Sequence, residues 1–416
     1  MNHHYDVIII GAGLSGLYSA YQIKKMDPHC KYLILESNRR PFIGGRVGNS
    51  HFYGAEVVIG AGVGRQDTDK VLIALLNELH IEHKPFLADM YYSSQIDKPI
   101  NVKKYLYELR AAYKRDVPKH PLTFKAFAKG YLGDAMYKKF LVSAGYTDYE
   151  KEDAYEVLYH YQMDDNAPGW TGLEIHWSTL IHKLSSKVGY NNIKTSSKVT
   201  SITPIKNKDK NCMFSVLTEK NVEYFAHKVI VATRISTTQQ LLPQFSIYKQ
   251  IHGQPFLYVY AKFNKESAQV MRFLVPDYTI VPGPLQKMIP MDADRGVYMI
   301  AYSDNKSAEY LRPFTANTEK NREFFEAEIE KAFGLKNGIL KIIALTDFYW
   351  PIGTHYYEPL DTSKFKNREE FIRKAQHPEK GILVVGEAVS RRQGWTEGAL
   401  ESVHAVLNKD WLLSRC

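Results

Sequence analysis

Three glycines near the N-terminus constrain the fold of this chain most strongly. An apolar run at residues 7–10 leads directly into a Gly-x-Gly-x-x-Gly sequence, and a helical pattern follows it. A buried parallel strand followed by this spacing is typical of a dinucleotide-binding turn, in which glycines allow a tight turn and a close approach of phosphates. The phosphates would lie at the positive N-terminus of the helix. The residues predicted to hold them are Gly11, Gly13, Leu14, Ser15 and Gly16.

A second strand ends on an acidic residue at the position of a ribose contact. Residues 31–35 are predicted to form a strand that leads to Glu36 and Ser37. A carboxylate there can accept both hydroxyls of an adenosine ribose, but it would repel a 2′-phosphate. The sequence therefore favours NAD or FAD over NADP. The alternative is that Glu36 is simply a solvated strand end.

Composition excludes several classes of protein. The chain has 416 residues and 44% apolar content, enough for two domains. Its net charge of +9 comes from scattered lysines, so we expect no nucleic-acid partner. Its three cysteines include no Cys-x-x-Cys pair, which predicts no metal site and favours a cytoplasmic or other intracellular location. Neither a signal peptide nor a membrane span is expected.

A second glycine-rich loop follows the predicted ribose contact. Two adjacent glycines allow the backbone to approach a phosphate, and the next side chain can neutralise its charge. A strand containing Val57 then enters another glycine-rich turn at residues 60–62. The loop residues are Gly44, Gly45, Arg46 and Val47.

A similar arrangement recurs near the C-terminus. Residues 381–385 form a predicted buried strand that ends on Gly386 and Glu387. After a short loop, small residues begin a helix and would allow close contact with a ligand. The predicted contacts in this loop and helix are Gly394, Trp395, Thr396 and Ala399.

The N-terminal and C-terminal patterns both resemble signatures of the flavin-dependent amine oxidase superfamily, which includes monoamine, polyamine and L-amino-acid oxidases. The resemblance implies FAD and an α/β fold, in which a Rossmann-like FAD-binding domain of the GR2 type carries an inserted α+β substrate domain. The FAD-binding domain would comprise residues 1–66, 190–236 and 380–416. The substrate domain would comprise a helical insertion at 67–189 and a sheet-based part at 237–379. The resemblance also places Val199 near the adenine, and Ala232 and Thr233 beside the dinucleotide.

The resemblance further implies that a small-molecule amine, either a mono- or a polyamine, lies between two aromatic side chains and transfers a hydride to the flavin. Trp395 matches one of these side chains, and Tyr356 or Tyr357 is the candidate for the other. A space-filling role in the core is the alternative for Trp395. Asp164, Asp165 and Glu174 are weaker candidates for contacts with a distal ammonium group.

Two departures from the family leave other functions open. The strand at residues 256–260 lacks the lysine that many amine oxidases place near the flavin, and the first lysine after it is Lys262. Reoxidation by oxygen, the expected acceptor, is therefore in question. No cysteine lies near Tyr356 or Trp395, so we expect a non-covalent flavin. The alternatives are a carbon–carbon dehydrogenase of the protoporphyrinogen oxidase or desaturase type, and a flavin-binding structural protein with weakened turnover.

Overall fold

The structure is a computed structural model that describes residues 3–40, 42–115, 120–161, 163, 166, 169–205 and 213–414. Within these residues the chain forms four sheets flanked by helices. The strands are β1 (His4–Ile10), β2 (Tyr32–Leu35), β3 (Asn49–Phe52), β4 (Ala55–Val58), β5 (Gly64–Arg65), β6 (His83–Ala88), β7 (Met90–Tyr92), β8 (Trp170–Ile175), β9 (Ile193–Lys194), β10 (Val199–Pro204), β11 (Phe214–Thr218), β12 (Glu223–Val231), β13 (Ile251–Phe263), β14 (Tyr278–Ile280), β15 (Lys287–Asp292), β16 (Val297–Asp304), β17 (Ile342–Tyr357) and β18 (Ile382–Val384).

The α-helices connect the strands and cover the sheets. Among the described residues, no helix is both long enough and apolar enough to cross a membrane. The helices are α1 (Leu14–Met26), α2 (Lys70–Glu78), α3 (Val102–Arg115), α4 (Phe124–Ala144), α5 (Ala154–Glu156), α6 (Trp177–Val188), α7 (Ile235–Leu241), α8 (Lys265–Leu274), α9 (Asn305–Leu311), α10 (Glu319–Phe333), α11 (Arg368–Gln376), α12 (Thr396–Val406) and α13 (Lys409–Leu413).

The first sheet joins three distant segments of the chain. Its path is β10-β11-β12-β1-β2-β9, and β18 also pairs with β12. Strand β12 runs parallel to both β1 and β18, with Val231 paired to Ile10 on one side and to Val384 on the other. These strands are apolar and buried because helices cover the sheet. The carboxyl ends of β1, β12 and β18 therefore meet at one edge of the sheet.

One hydrophobic core extends across a predicted domain boundary. Helices α1, α2, α6 and α12 share a buried cluster that includes Leu17, Leu76, Leu180 and Leu400. Helices α2 and α6 fall within the predicted substrate domain, yet they pack in the same core as α1, which follows the first strand of the first sheet. The division at residues 67 and 189 remains a prediction, and this packing favours assigning both helices to the nucleotide-binding half.

The second large sheet has the path β17-β13-β16-β15-β14-β7. Its longest strands, β13 and β17, are antiparallel and remain paired from Ile251–Tyr357 to Phe263–Ile342. Helices α8, α9 and α10 pack their apolar sides on this sheet, where Phe325 and Ile329 are fully buried. The strands predicted within residues 256–263 and 296–302 and the helix predicted at 321–333 are confirmed.

The predicted helical insertion contains strands as well as helices. Helices α3 and α4 confirm the helical patterns around residues 105–113 and 124–140. The sequence analysis did not predict β6, which pairs with β8, or β7, which joins the edge of the second sheet. These strands are short and largely exposed, so they lack the apolar alternation that marks a half-buried strand.

Close packing at Gly16 predicts a stability difference between two glycine-to-alanine variants. A Cβ built on Gly16 would lie 2.0 Å from the Gly11 carbonyl oxygen, whereas a Cβ on exposed Gly130 in α4 would meet no atom within 4 Å. We expect Gly16→Ala to lower the free energy of unfolding by about 1–3 kcal/mol. We expect Gly130→Ala to raise it by about 0.5–1 kcal/mol. Urea unfolding followed by circular dichroism measures both, and equal stability of Gly16→Ala and the wild type would contradict the packing.

Candidate nucleotide-binding and active site

The first glycine turn combines close packing with open space. Gly11 has a φ of +105°, and a Cβ at this position would lie 2.4 Å from the Ala232 carbonyl oxygen. By contrast, a Cβ on Gly13 would meet no atom within 4 Å. Gly13 precedes α1, whose N-terminus has no side-chain cap. The first N–H groups of α1 are therefore available to an anion that lies in the space in front of Gly13.

Glu36 lies beside this turn, and its carboxylate is already hydrogen-bonded. It accepts hydrogen bonds from the backbone N–H groups of Ala12 and Asn38, at 2.7 and 2.8 Å, and from the Ser37 hydroxyl at 3.1 Å. The side chain is buried, with 8% of its surface exposed. These bonds hold the carboxylate next to the open space at Gly13, so Glu36 is not a solvated strand end.

The loop with Gly44 and Gly45 packs directly on the first turn. The Gly44 N–H donates to the Ala12 carbonyl at 2.9 Å, and a Cβ on Gly45 would lie 3.6 Å from the Gly13 Cα. The loop then tightens, because the Val47 N–H donates back to the Gly44 carbonyl. This contact brings Arg46 to the same edge of the first sheet.

A buried carboxylate joins the N-terminal and C-terminal segments at that edge. Arg46 Nη1 lies 2.8 Å from Glu387 Oε1 and 2.5 Å from the Gly353 carbonyl oxygen. His355 Nδ1 lies 2.8 and 2.9 Å from the two carboxylate oxygens of Glu387. Burial raises the pKa of Glu387, but His355 and Arg46 together outweigh that effect and lower the pKa to about 2. Glu387 is therefore ionised at neutral pH.

His355 has a fixed orientation between two segments. Its Nε2 accepts a hydrogen bond of 3.1 Å from the Ile235 N–H at the start of α7, so the ring hydrogen toward Glu387 is on Nδ1. The side chain is 3% exposed. His355 thereby connects β17 to the middle return of the chain and to Glu387.

The C-terminal turn meets the N-terminal turn. Gly386 has a φ of +126°, and a Cβ built on it would lie 3.6 Å from Ser15 Oγ. Helix α12 begins at Thr396, with Trp395 at a cap position that makes no side-chain hydrogen bond. The Thr396 hydroxyl and the Gln393 amide oxygen are buried without a hydrogen-bond partner among the described residues. The N-terminus of α12 thus carries polar atoms whose bonding a ligand could complete.

The three predicted aromatic residues lie in different surroundings. Trp395 is partly exposed, and the Arg65 guanidinium carbon lies 3.9 Å from its ring centroid. Tyr357 is buried in the core, where its hydroxyl donates to the Ser390 carbonyl at 3.0 Å. Tyr356 has the opposite orientation, because side chains alternate along β17, and its ring stacks on His252 with centroids 5.3 Å apart.

Thr354 connects the Tyr356 side of β17 to the tryptophan loop. Its Cγ2 atom lies 3.4 Å from the position of a Cβ built on Gly394, which precedes Trp395. Tyr356 lies two residues along the same strand and therefore faces the same side as Thr354. Tyr357 shares the side of His355. The structure thus brings Tyr356, and not Tyr357, to the side of β17 that contacts the Gly394 turn.

The other predicted nucleotide contacts lie around the first sheet, except Val57, which is on β4 and packs with residues of the second sheet such as Tyr258. Val57 and Val199 are buried, as are Leu14 and Ala399. Ala232 and Thr233 follow β12 at its carboxyl end, where the Ala232 carbonyl meets Gly11.

Lys262 and Glu174 make none of the contacts described above. Lys262 Nζ donates to the Arg295 carbonyl at a turn of the second sheet. Glu174 is exposed on β8. Asp164 and Asp165 lie outside the described residues.

Sequence reasoning missed three residues of this site. His355 and Gln254 are distant in sequence from the glycine motifs, yet His355 binds Glu387 and Gln254 Nε2 donates to Thr354 Oγ1 at 3.1 Å. Arg65 reaches Trp395 across 330 positions. Arg65 follows closely after the glycine-rich turn at 60–62, but no sequence pattern indicates that it contacts Trp395.

The buried carboxylate predicts a pH-dependent stability difference. The pKa of Glu387 is lowered from 4.5 to about 2, so its contribution of about 3 kcal/mol is complete above pH 4.5 and is lost as the pH falls through 2. We expect Glu387→Gln to be about 3–5 kcal/mol less stable than the wild type at pH 7, with a difference that shrinks toward pH 2. Urea unfolding across this pH range measures the difference.

The matched control is Glu78→Gln, which removes an exposed carboxylate paired with Lys25. It should cost less than about 1 kcal/mol. A Glu387→Gln difference that stays constant from pH 7 to pH 2 would contradict the ionised, paired state of Glu387.

Comparisons with known proteins agree with this geometry. Residues 9–79 match the family described as an NAD(P)-binding Rossmann-like domain. An uncharacterised protein of Acanthamoeba polyphaga mimivirus is 20% identical in an alignment that covers 97% of this chain and 93% of the relative.

Solved structures of putrescine oxidase share the whole fold. The wild-type enzyme bound to putrescine superimposes with a TM-score of 0.74 at 15% identity, covering 97% of this chain and 98% of that one. A double mutant of the same enzyme gives a TM-score of 0.73 at 16% identity with the same coverage. The α/β class predicted from the sequence is thus confirmed. Residues 9–79 are thus similar to an NAD(P)-binding Rossmann-like domain, and the chain has, along almost its whole length, the fold of putrescine oxidase.

Proposed function

We propose that the protein is an FAD-dependent oxidoreductase that oxidises a mono- or polyamine, with oxygen as the acceptor. The observation that carries the proposal is the meeting of the N-terminal and C-terminal glycine turns at one edge of the first sheet. Ser15 at the start of α1 approaches Gly386, and Arg46 pairs with Glu387 ahead of α12. The N-terminus of α1 would hold the pyrophosphate, and the N-terminus of α12 would hold the polar edge of the flavin ring.

The residues present fit this cofactor. Open space lies in front of Gly13, and the uncapped start of α1 faces it. The buried Thr396 hydroxyl and the Gln393 amide oxygen have no partner among the described residues, as expected of groups that bind a polar ring. We propose that the cofactor contacts are Gly11, Gly13, Leu14, Ser15, Gly16, Glu36, Ser37, Gly44, Gly45, Arg46, Val47, Val57, Val199, Ala232, Thr233, Gly386, Glu387, Gly394, Trp395, Thr396 and Ala399.

When bound, FAD would accept a hydride from the carbon next to the amine nitrogen. The chain would position that carbon. We propose that Trp395 contacts the amine and that Tyr356 is the second aromatic residue in preference to Tyr357, because of the side of β17 that it faces. A cation held against an aromatic face gains about 0.5–2 kcal/mol, which orients the reacting bond.

The comparison with putrescine oxidase supports an amine as the substrate class. One of its solved structures contains putrescine, and this chain shares its fold over 97% of its length. The fold alone does not distinguish an amine from other substrates. The choice of an amine therefore depends on Trp395 and on the resemblance of both glycine signatures.

The test is anaerobic reduction of the purified protein. We expect a yellow protein whose visible absorbance is bleached by at least one compound in a panel of monoamines, putrescine, longer polyamines and amino acids, and restored by oxygen. Bleaching only by lipophilic alkenes or porphyrinogens would replace this proposal with carbon–carbon dehydrogenation. A yellow protein that neither class bleaches would indicate a flavin-binding role without turnover, and a colourless protein would exclude flavin.

Gly13→Ala should separate folding from cofactor binding. The backbone at Gly13 has a φ of −73°, which any residue adopts, and an added Cβ meets no protein atom. We therefore expect a native circular dichroism spectrum and at least about tenfold weaker flavin binding, a cost of about 1.4 kcal/mol. The ratio of visible to ultraviolet absorbance after gel filtration measures the retained flavin. Full flavin occupancy in Gly13→Ala would place the nucleotide elsewhere.

Trp395→Ala should lower turnover more than flavin content. If Trp395 orients the substrate, its loss reduces the rate constant of anaerobic flavin reduction by roughly tenfold or more, while most of the flavin stays bound. Stopped-flow absorbance gives the rate, and extraction of the flavin gives its content. Parallel loss of both would assign Trp395 a packing role.

A further inference from the structure

A buried arginine covers one face of the tryptophan that we place at the substrate. The guanidinium carbon of Arg65 lies 3.9 Å from the ring centroid of Trp395. Arg65 is 4% exposed, so water does not compete for this contact. Arginine over a tryptophan face is a favourable cation–π pair, and desolvation strengthens it.

The plane of the Arg65 guanidinium is fixed by Asp69. Arg65 Nε and Nη2 lie 2.9 and 2.7 Å from Asp69 Oδ1, and the Arg65 backbone N–H donates to Asp69 Oδ2 at 2.8 Å. Asp69 has no exposed surface. The buried guanidinium cannot rotate without breaking the charged hydrogen bond from Nε and losing the close charge contact of Nη2 with the same carboxylate oxygen. The stacked face of Trp395 is consequently held in a defined plane.

The segment that contains Arg65 also holds the chain on both sides of Trp395. On the C-terminal side, Glu397 accepts hydrogen bonds from the N–H groups of Val71 and Leu72, each at 2.8 Å. On the N-terminal side, Arg392 donates to the Thr68 carbonyl at 2.8 Å. Residues 65–72 therefore form a clamp, which we call the Arg65 clamp, on the loop that carries Trp395.

This arrangement limits how an amine can use the indole ring. A cation binds an aromatic residue over its face, and each ring has two faces. Arg65 occupies one face, so a substrate ammonium can approach only the other. The aromatic contact for an amine is thereby one-sided at Trp395.

We propose that Arg65 is a positioning residue that sets the plane of Trp395 and reserves one of its faces for the chain's own cation. The proposal rests on the function proposed for Trp395, and it concerns a contact that can also be measured without turnover. It predicts that, when Arg65 is replaced by alanine, a small external cation can bind to the vacated face of Trp395.

The test compares the flavin-loaded wild type with Arg65→Ala. We expect Arg65→Ala to reduce flavin about 10- to 100-fold more slowly with an amine substrate, while flavin content changes little. Millimolar guanidinium chloride should restore part of the rate, and this rescue should saturate with concentration.

Asp69→Asn keeps the arginine but loosens the orientation of its guanidinium plane. This variant should also slow reduction, and it provides a second test if Arg65→Ala does not fold. The matched control is Arg312→Ala, which removes an exposed arginine 4.2 Å from the Tyr349 ring and should leave the rate unchanged.

Tryptophan fluorescence gives a readout that does not require an amine substrate. Guanidinium should change the fluorescence of Arg65→Ala saturably, and the change should be absent from the wild type and from the Arg65→Ala, Trp395→Phe double variant. The proposal is overturned if guanidinium neither restores the rate nor changes this fluorescence, or if flavin content falls in parallel with the rate. Absence of reduction by any amine in the wild type, together with the expected fluorescence change, would reject the amine oxidase proposal and keep the Arg65 contact.

Discussion

The buried carboxylate of Glu387 connects the N-terminal loop, β17 and the C-terminal turn. It accepts bonds from Arg46 of the N-terminal loop and from His355 of β17, and His355 in turn accepts a bond from the Ile235 N–H of the middle return. A buried charge is costly unless it is paired and hydrogen-bonded, so this carboxylate stabilises only an arrangement in which its partners are in place. The pairing therefore fixes the second sheet relative to the carboxyl edge of the first.

Much of this architecture could be predicted because its determinants are local in sequence. Gly16 is required by its close contact with the Gly11 carbonyl within one strand–turn–helix unit, and Glu36 follows the next strand. The apolar runs of β1, β12 and β18 are those of parallel strands buried on both faces. Gly386 and Glu387 repeat the pattern of a strand that ends in a turn, which allowed the C-terminal segment to be assigned to the same site.

The remaining features depend on contacts between distant residues. His355 lies among other aromatic residues, and only pairing of β13 with β17 orients it toward Glu387. Because side chains alternate along β17, Tyr356 and Tyr357 face opposite sides of the strand. Strand alternation alone could have predicted this difference from the sequence. Arg65 has no local signal, because its stacking on Trp395 requires the N-terminal half of the chain to fold against the C-terminal helix. The exposed strands β6 and β7 were missed because their sequences carry no alternating pattern.

The most direct measurement is a crystal structure of the protein loaded with FAD. The account predicts one FAD in each chain, with its pyrophosphate at the N-terminus of α1 in front of Gly13 and its ring at the N-terminus of α12 beside Trp395. A flavin that contacted only one of these helices, or a nucleotide bound away from Gly13, would contradict the claim that both ends of the chain hold a single cofactor.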